Sequence, residues 1–377
     1  MFMEVEVVSI PFMRPYFSES GRKNIHAGIE EILQSGRLMM GPYAEKLEQS
    51  FRDQVSLPHA ISVTTCTTAL QICLQYFDVA GGEVLVPSGS FVTDVSAVQW
   101  SGADAVLVDM NSQTLSFDME DLERKVSSRT KAIIWVHLAG IMSSEHGQIV
   151  SFARERGIPL IEDCAHALGA SVDGVQAGAL GDAACYSFYP TKIITSGTGG
   201  MIATRDSALD RYAREIRLFG RDAETGKVGR LGNDWFLDEI RACVAYFQMC
   251  ELDEFLAHRR ASAGHYDQIL RNHPGLRLLD VPNGNLPSYY QYSVFLDAAI
   301  NREELIKNLK DRHGVVAKEI YLPTHKETVF QHLDDGALKQ TEETLARSLC
   351  LPMFVGLGNQ EVEEVAHALT TEIRQLL

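Results

Sequence analysis

The sequence has no Cys-x-x-Cys pair, although seven cysteines occur in its 377 residues. They are scattered at Cys66, Cys73, Cys164, Cys185, Cys243, Cys250 and Cys350. An odd, unpaired set argues against a disulfide frame, and without paired spacing a zinc or iron–sulfur site has no support. Reduced thiols in a cytoplasmic protein are expected instead. Positive charge is also short: 34 Lys and Arg against 50 Asp and Glu leave a net charge of −16. Without a concentrated basic patch the chain offers little to a polyanion, so no nucleic-acid partner is expected. No apolar run is long enough to cross a bilayer, which argues against a membrane partner. The start, MFMEVEVVSIPFM, is acidic and lacks the basic region of a signal peptide. There is no internal repeat and no low-complexity tract.

What is present is a large apolar fraction, 45% of the residues. That suffices for one large domain and a smaller one, expected at 1–250 and 251–377. Short apolar runs rich in β-branched residues occur at Glu83–Pro87, Ala105–Asp109, Lys131–His137 and Ile158–Ile161. Such runs fit strands covered on both faces. Helix-like stretches, Asp118–Val126 and Gly147–Arg156, lie between them. This alternation predicts an α/β protein with a mostly parallel central sheet flanked by helices. Ala183–Phe188 and Gly200–Thr204 read as a further strand pair. Helical spacing returns at Ala208–Leu218 and Leu237–Glu254, with a long loop, Phe219–Asn233, between them. Beyond it a small α+β part is expected: helices at Leu256–Asn272, Arg302–His313 and Glu361–Leu377, and strands at Tyr289–Leu296 and Val315–Tyr321.

Residues able to do chemistry gather at the ends of these strands. The strand Ile158–Ile161 runs into two carboxylates, Glu162 and Asp163. A carboxylate there sits where open α/β sheets bind ligands. Ser187-Phe-Tyr-Pro-Thr-Lys192 follows, with Gly197, Gly199 and Gly200 close behind. A lysine placed by such a loop can form a Schiff base with a carbonyl. Lysine with aspartate is the pair that a pyridoxal phosphate site needs. Thr64–Thr68 opens the helix Ala69–Tyr76, where free N–H groups and hydroxyls can cradle a phosphate, although threonines also cap helices without any ligand. Phe91, just past Val86-Pro-Ser-Gly-Ser90, can offer its face to a flat ring.

Taken together these segments resemble the DegT/StrS family of sugar aminotransferases, pyridoxal phosphate enzymes of fold type I. The resemblance begins at Ser35–Pro42. It runs through Thr65–Leu70, Val86–Phe91, Val136–Gly140, Glu162–Ala167, Gly181-Asp182, Ser187–Lys192, Gly232–Ala242 and Arg259-Arg260 to Leu349–Met353. It implies that Lys192 is the Schiff-base lysine and that Asp163 pairs with the pyridine nitrogen. It places His166 beside the ring, Phe91 against its face, and Thr67, Thr68 and Ser187 on the phosphate. It also implies a homodimer, in which Gly232–Glu239 enters the neighbouring subunit's site. Asn233 would then reach the partner's phosphate in place of Asp234, which stands where the family commonly has an amide. Three further positions depart from the family's habit: Cys66 for Gly, His166 for Gln and Phe236 for Arg. His at 166 also occurs in aminocyclitol-forming members.

The activity implied is transfer of an amino group from an amino acid, glutamate or glutamine, to a keto-sugar carried on a nucleotide. Alternatives within the same resemblance are a keto-cyclitol acceptor, a keto-sugar dehydratase or a non-catalytic regulator. The dehydratases lack the lysine or add a cysteine cluster. His313, Tyr321, His325 and Lys326 are candidate substrate contacts.

Overall fold

The computed structural model describes residues 9–281 and 283–377. The first eight residues of the acidic start read above for a signal peptide lie outside them. A seven-stranded sheet forms the centre. Its order is His59–Val63, Gly200–Thr204, Ala183–Ser187, Leu160–Asp163, Thr130–Val136, Glu83–Pro87 and Asp104–Val108. Only Gly200–Thr204 runs against the rest, pairing antiparallel with both of its neighbours. The sheet is therefore mostly parallel, as the alternation predicts.

These strands are buried almost end to end, which is why their sequences read as continuous apolar runs rather than as alternation. One core cluster packs Ile61, Leu70, Val84, Ile134 and Ile202 beneath the helices Cys66–Tyr76 and Val92–Trp100. A second cluster, with Leu47, Phe51, Tyr186 and Phe188, fills the region beside the helices Pro42–Val55 and Glu239–Cys250. One buried polar network braces this interior. Glu48 accepts hydrogen bonds from the Ser62 amide at 3.0 Å and from Arg217 Nη1 at 2.6 Å, and Arg214 Nη1 lies 2.9 Å away.

A three-stranded antiparallel sheet, Leu276–Leu278, Tyr292–Leu296 and Ser348–Leu351, lies apart from the large one. The helices Leu252–Leu270, Arg302–His313 and Asn359–Leu376 accompany it, and its core gathers Val294, Leu309, Leu349, Val365 and Leu369. Ile10 joins this core, and its backbone bridges to Val315.

Three element readings need correction. Val315–Tyr321 is not a strand. Val315 bridges in parallel to Ile10 and Lys318 antiparallel to Cys350, so two different partners each take one rung and no ladder forms. The helical stretch Leu237–Glu254 is two helices that meet at Glu251, which both caps Glu239–Cys250 and opens Leu252–Leu270. The helix expected from Ala69 begins earlier, at Cys66, because Thr65 is its N-cap and its hydroxyl accepts from the Thr68 amide at 3.0 Å.

A candidate active site at the strand ends

The loops that leave the C-terminal ends of the parallel strands surround a cavity of about 450 Å³. Gly200 starts the reversed strand at this same edge, directly opposite Val63. A β-carbon on Gly200 would lie 2.4 Å from the carbonyl carbon of Thr65 and 2.6 Å from the Cys66 nitrogen. Only glycine lets the reversed strand pass so close to the start of the helix Cys66–Tyr76. The first amides of that helix, with Thr65, Cys66 and Thr67, face the cavity. They precede the first intrahelical bond, made by the Ala69 amide, and so are free to meet an anion.

The strand Leu160–Asp163 divides its two acids, because neighbouring residues in a strand point to opposite faces. Glu162 is fully buried and accepts from His137 Nε2 at 2.8 Å and from the amides of Gly178, Leu180 and Gly181 at 2.9, 2.8 and 2.6 Å. Burial opposes its charge, but the His137 bond, the charge on His137 and these amides outweigh burial and hold its carboxyl below the usual range. Asp163 lines the cavity, and its Oδ1 accepts from the Ala165 amide at 2.7 Å. The following segment is a turn, so Asp163 caps no helix.

Lys192 sits on the loop between Ala183–Ser187 and Gly200–Thr204, and its Nζ lies 4.4 Å from the centre of the Tyr290 ring. Tyr290 stacks on His166 with centroids 4.0 Å apart, and its hydroxyl is 2.8 Å from Thr191 Oγ1. His166 Nε2 is 2.8 Å from the Tyr321 hydroxyl, while its buried Nδ1 has no partner. Burial, aided by the positive charge of Lys192, holds His166 far below its ordinary pKa, so the ring is neutral. Phe91 is half exposed and tilts against Tyr321 at 5.3 Å.

The cavity therefore brings together Thr67, Phe91, Asp163, His166, Ser187 and Lys192. Thr68 lies one step behind, its hydroxyl 3.1 and 2.8 Å from those of Thr64 and Thr65. Asn233 and Asp234 are exposed on the long loop and do not line the cavity of their own chain. Of the four substrate-contact candidates only Tyr321 lines it. His313 pairs with Glu372, His325 with Glu342, and Lys326 with Asp334 and Glu342. Sequence reasoning passed over Tyr290, Thr93 and the buried Asp94. The signal for Asp94 was an acid at the third position of a helix whose N-cap, Phe91, cannot form a capping box.

The chain as a whole matches a known group of proteins. The sequence pattern of the DegT/DnrJ/EryC1/StrS aminotransferase family covers residues 19–370. The chain is 31% identical to a UDP-N-acetyl-3-dehydro-alpha-D-glucosamine 3-aminotransferase of Acidithiobacillus ferrooxidans, over 94% of each chain. It is 34% identical to a GDP-perosamine synthase of Caulobacter vibrioides, over 88% of this chain and 90% of that one. The crystal structure of the aminotransferase TlmJ from Streptoalloteichus hindustanus superposes with a TM-score of 0.91 at 32% identity, covering 98% of this chain and 100% of TlmJ. With the pattern spanning nearly all of its length, the chain belongs to the DegT/DnrJ/EryC1/StrS aminotransferase family.

Proposed function

We propose that this aminotransferase uses pyridoxal phosphate to move an amino group from glutamate or glutamine to a keto-sugar carried on a nucleotide. The observation that carries the reading is the placement of Lys192 and Asp163 in one cavity, with the neutral His166 beside them. The cavity fits the cofactor in three respects. The helix start at Cys66–Thr67 suits its phosphate, the unpartnered Nδ1 of His166 suits a polar ring substituent, and Asp163 suits a cationic ring nitrogen. When bound, the cofactor supplies an aldehyde that links covalently to amines and a ring that accepts an electron pair from carbon.

In this reading Lys192 is the amine that bonds the aldehyde. Lys192 Nζ, when free, would take the proton from the donor's α-carbon as general base and return it to the donor–cofactor unit as general acid. Asp163 keeps the ring nitrogen protonated by its negative charge. Thr67 and Ser187 would hold the phosphate, and Phe91 and Tyr321, in contact with each other, wall the cavity. The nucleotide-sugar acceptor follows from the relatives, whose names specify UDP- and GDP-linked sugars. The free thiols of all seven cysteines suit a reducing, cytoplasmic setting.

We assign the segment Gly232–Glu239, with the exposed loop 219–233 that leads into it, to a homodimer contact, in which Asn233 completes the neighbouring subunit's phosphate site. Phe219, Val228 and Leu231 are all exposed along that loop, apolar side chains of the kind that a partner covers. Borohydride reduction of the cofactor-loaded protein should label the peptide bearing Lys192, and glutamate should convert the chromophore to the aminated form. A label on another peptide, or no conversion with any common donor, would end this proposal. Sedimentation at micromolar concentration tests the dimer, and Asn233→Ala should weaken cofactor binding without dissociating it.

A further inference from the structure

Asp94 is the third residue of the helix Val92–Trp100 and is fully buried. Neither of its carboxyl oxygens meets a hydrogen-bond donor. The groups beside them are the carboxyl of Asp163, at the end of the strand Leu160–Asp163, and the hydroxyl of Ser90. Two carboxylates are both acceptors, so the contact with Asp163 is a hydrogen bond only if one of them keeps its proton. An ionised, unpaired carboxylate in such a place would carry a desolvation cost of several kcal/mol.

We propose that Asp94 is a protonated carboxylic acid that donates to Asp163, so that a carboxyl pair rather than a lone carboxylate backs the cofactor's ring nitrogen. Asp94 is the partner that keeps the proton because Asp163 has other support. Its Oδ1 accepts from the Ala165 amide, and Cys66 Sγ stands 3.8 Å away. Burial, then the charge of Asp163 and the bond to it, push the Asp94 carboxyl well above the usual carboxylate range. The groups facing Asp94 from other elements are few. Ser90 precedes its helix, Cys66 opens the adjacent one, Lys192 lies on the loop opposite, and Tyr321 comes from the far side of the cavity. Ser90 and Lys192 favour the ionised form, but burial and Asp163 outweigh them. Asp94 is thus a positioning residue. Its hydrogen bond spreads the charge of Asp163 and makes it a weaker base toward whatever cation it faces.

This proposal rests on the pyridoxal phosphate reading only for the identity of that cation. The pair itself is testable in the cofactor-free protein. Infrared spectroscopy of the apoprotein at neutral pH should show the carbonyl stretch of a protonated carboxyl. That band should vanish in Asp94→Asn and move in Asp163→Asn. Melting temperature gives a second readout. A carboxyl whose folded pKa is raised binds more protons in the native state than in the unfolded chain, so it lowers stability as pH rises through that interval. Asp94→Asn should remove that fall and melt higher than the parent at pH 8. In the cofactor-loaded protein, Asp94→Leu should displace the pH midpoint of the visible chromophore by about one unit. Asp94→Asn, whose amide still donates to Asp163, should restore a midpoint near the parent's. No protonated-carboxyl band in the parent, a band unmoved by Asp163→Asn, or a midpoint insensitive to Asp94→Leu would each overturn the pair. Failure of borohydride to label Lys192 would instead overturn the cofactor reading and leave the apoprotein results standing.

Discussion

The Tyr321 hydroxyl lies 2.8 Å from His166 Nε2 and joins two distant parts of the chain inside one cavity. His166 belongs to the turn after a central strand, whereas Tyr321 follows the bridge that links Lys318 to Cys350 of the small sheet. With Tyr290 stacked on its face, the imidazole is held on two sides by groups from the C-terminal part.

Tyr321→Phe removes one hydrogen bond and little packing. It should lower kcat/KM for amino transfer by about 5–10-fold, the equivalent of about 1 kcal/mol. The melting temperature should stay close to the parent's. Steady-state kinetics beside calorimetry check both halves of this expectation.

Gly200→Ala places a methyl group against the backbone of Thr65 and Cys66. The helix start must then shift, and the anion site with it. Fluorescence titration of the apoprotein should give a pyridoxal phosphate dissociation constant raised at least about tenfold, a loss of about 1.4 kcal/mol. Gly197→Ala, where nothing lies within 4 Å of the added carbon, tests the left-handed backbone alone (φ 82°).

The Glu48–Arg217 pair is buried on both sides, with the Arg217 side chain 1% exposed and that of Glu48 7%. Arg217→Met leaves Glu48 with Arg214 as its remaining charge partner and should cost about 3 kcal/mol in urea unfolding. Adding Glu48→Gln to that variant should return part of the loss, because the two positions share one network.

Glu162 gives a pH signature of opposite sign to that of Asp94. Its folded pKa is lowered, so the stability it contributes is present above the ordinary carboxylate range. That stability is lost as pH falls through the folded value. Glu162→Gln should therefore unfold more readily than the parent at pH 7, by about 2–4 kcal/mol. The two curves should converge in acid. Denaturant melts of the apoprotein from pH 3 to pH 8 measure this.

The sheet was legible because strands covered on both faces carry short continuous apolar runs, and the segments around residues 85, 133 and 161 do. Asp163 and Lys192 were legible because an acid at a strand end and an amine in a glycine-bearing loop are local features. Val315–Tyr321 misled because β-branched residues mark a propensity and not a partner. Its two rungs go to Ile10 and Cys350, both distant in sequence. Tyr290 and Asp94 were illegible for a related reason. Each owes its place to a contact made across the cavity, with His166 and with Asp163, that no spacing along the chain reports. Thr68 shows the limit of a correct local reading: the helix start is there, but the hydroxyl turns inward to its neighbours.

The loop bearing Lys192 is sewn into the sheet at both ends, with Ser187 opposite Gly200 and the Phe188 amide bonded to the Gly199 carbonyl at 2.9 Å. Its amine is thereby moored to the central sheet, while mostly exposed stretches such as 219–233 lie at the margins. Insertions and exchanges at those margins can retune which molecule is admitted and leave the bond-making apparatus undisturbed. Such a division of labour lets one scaffold diversify its clientele through drift at the periphery alone.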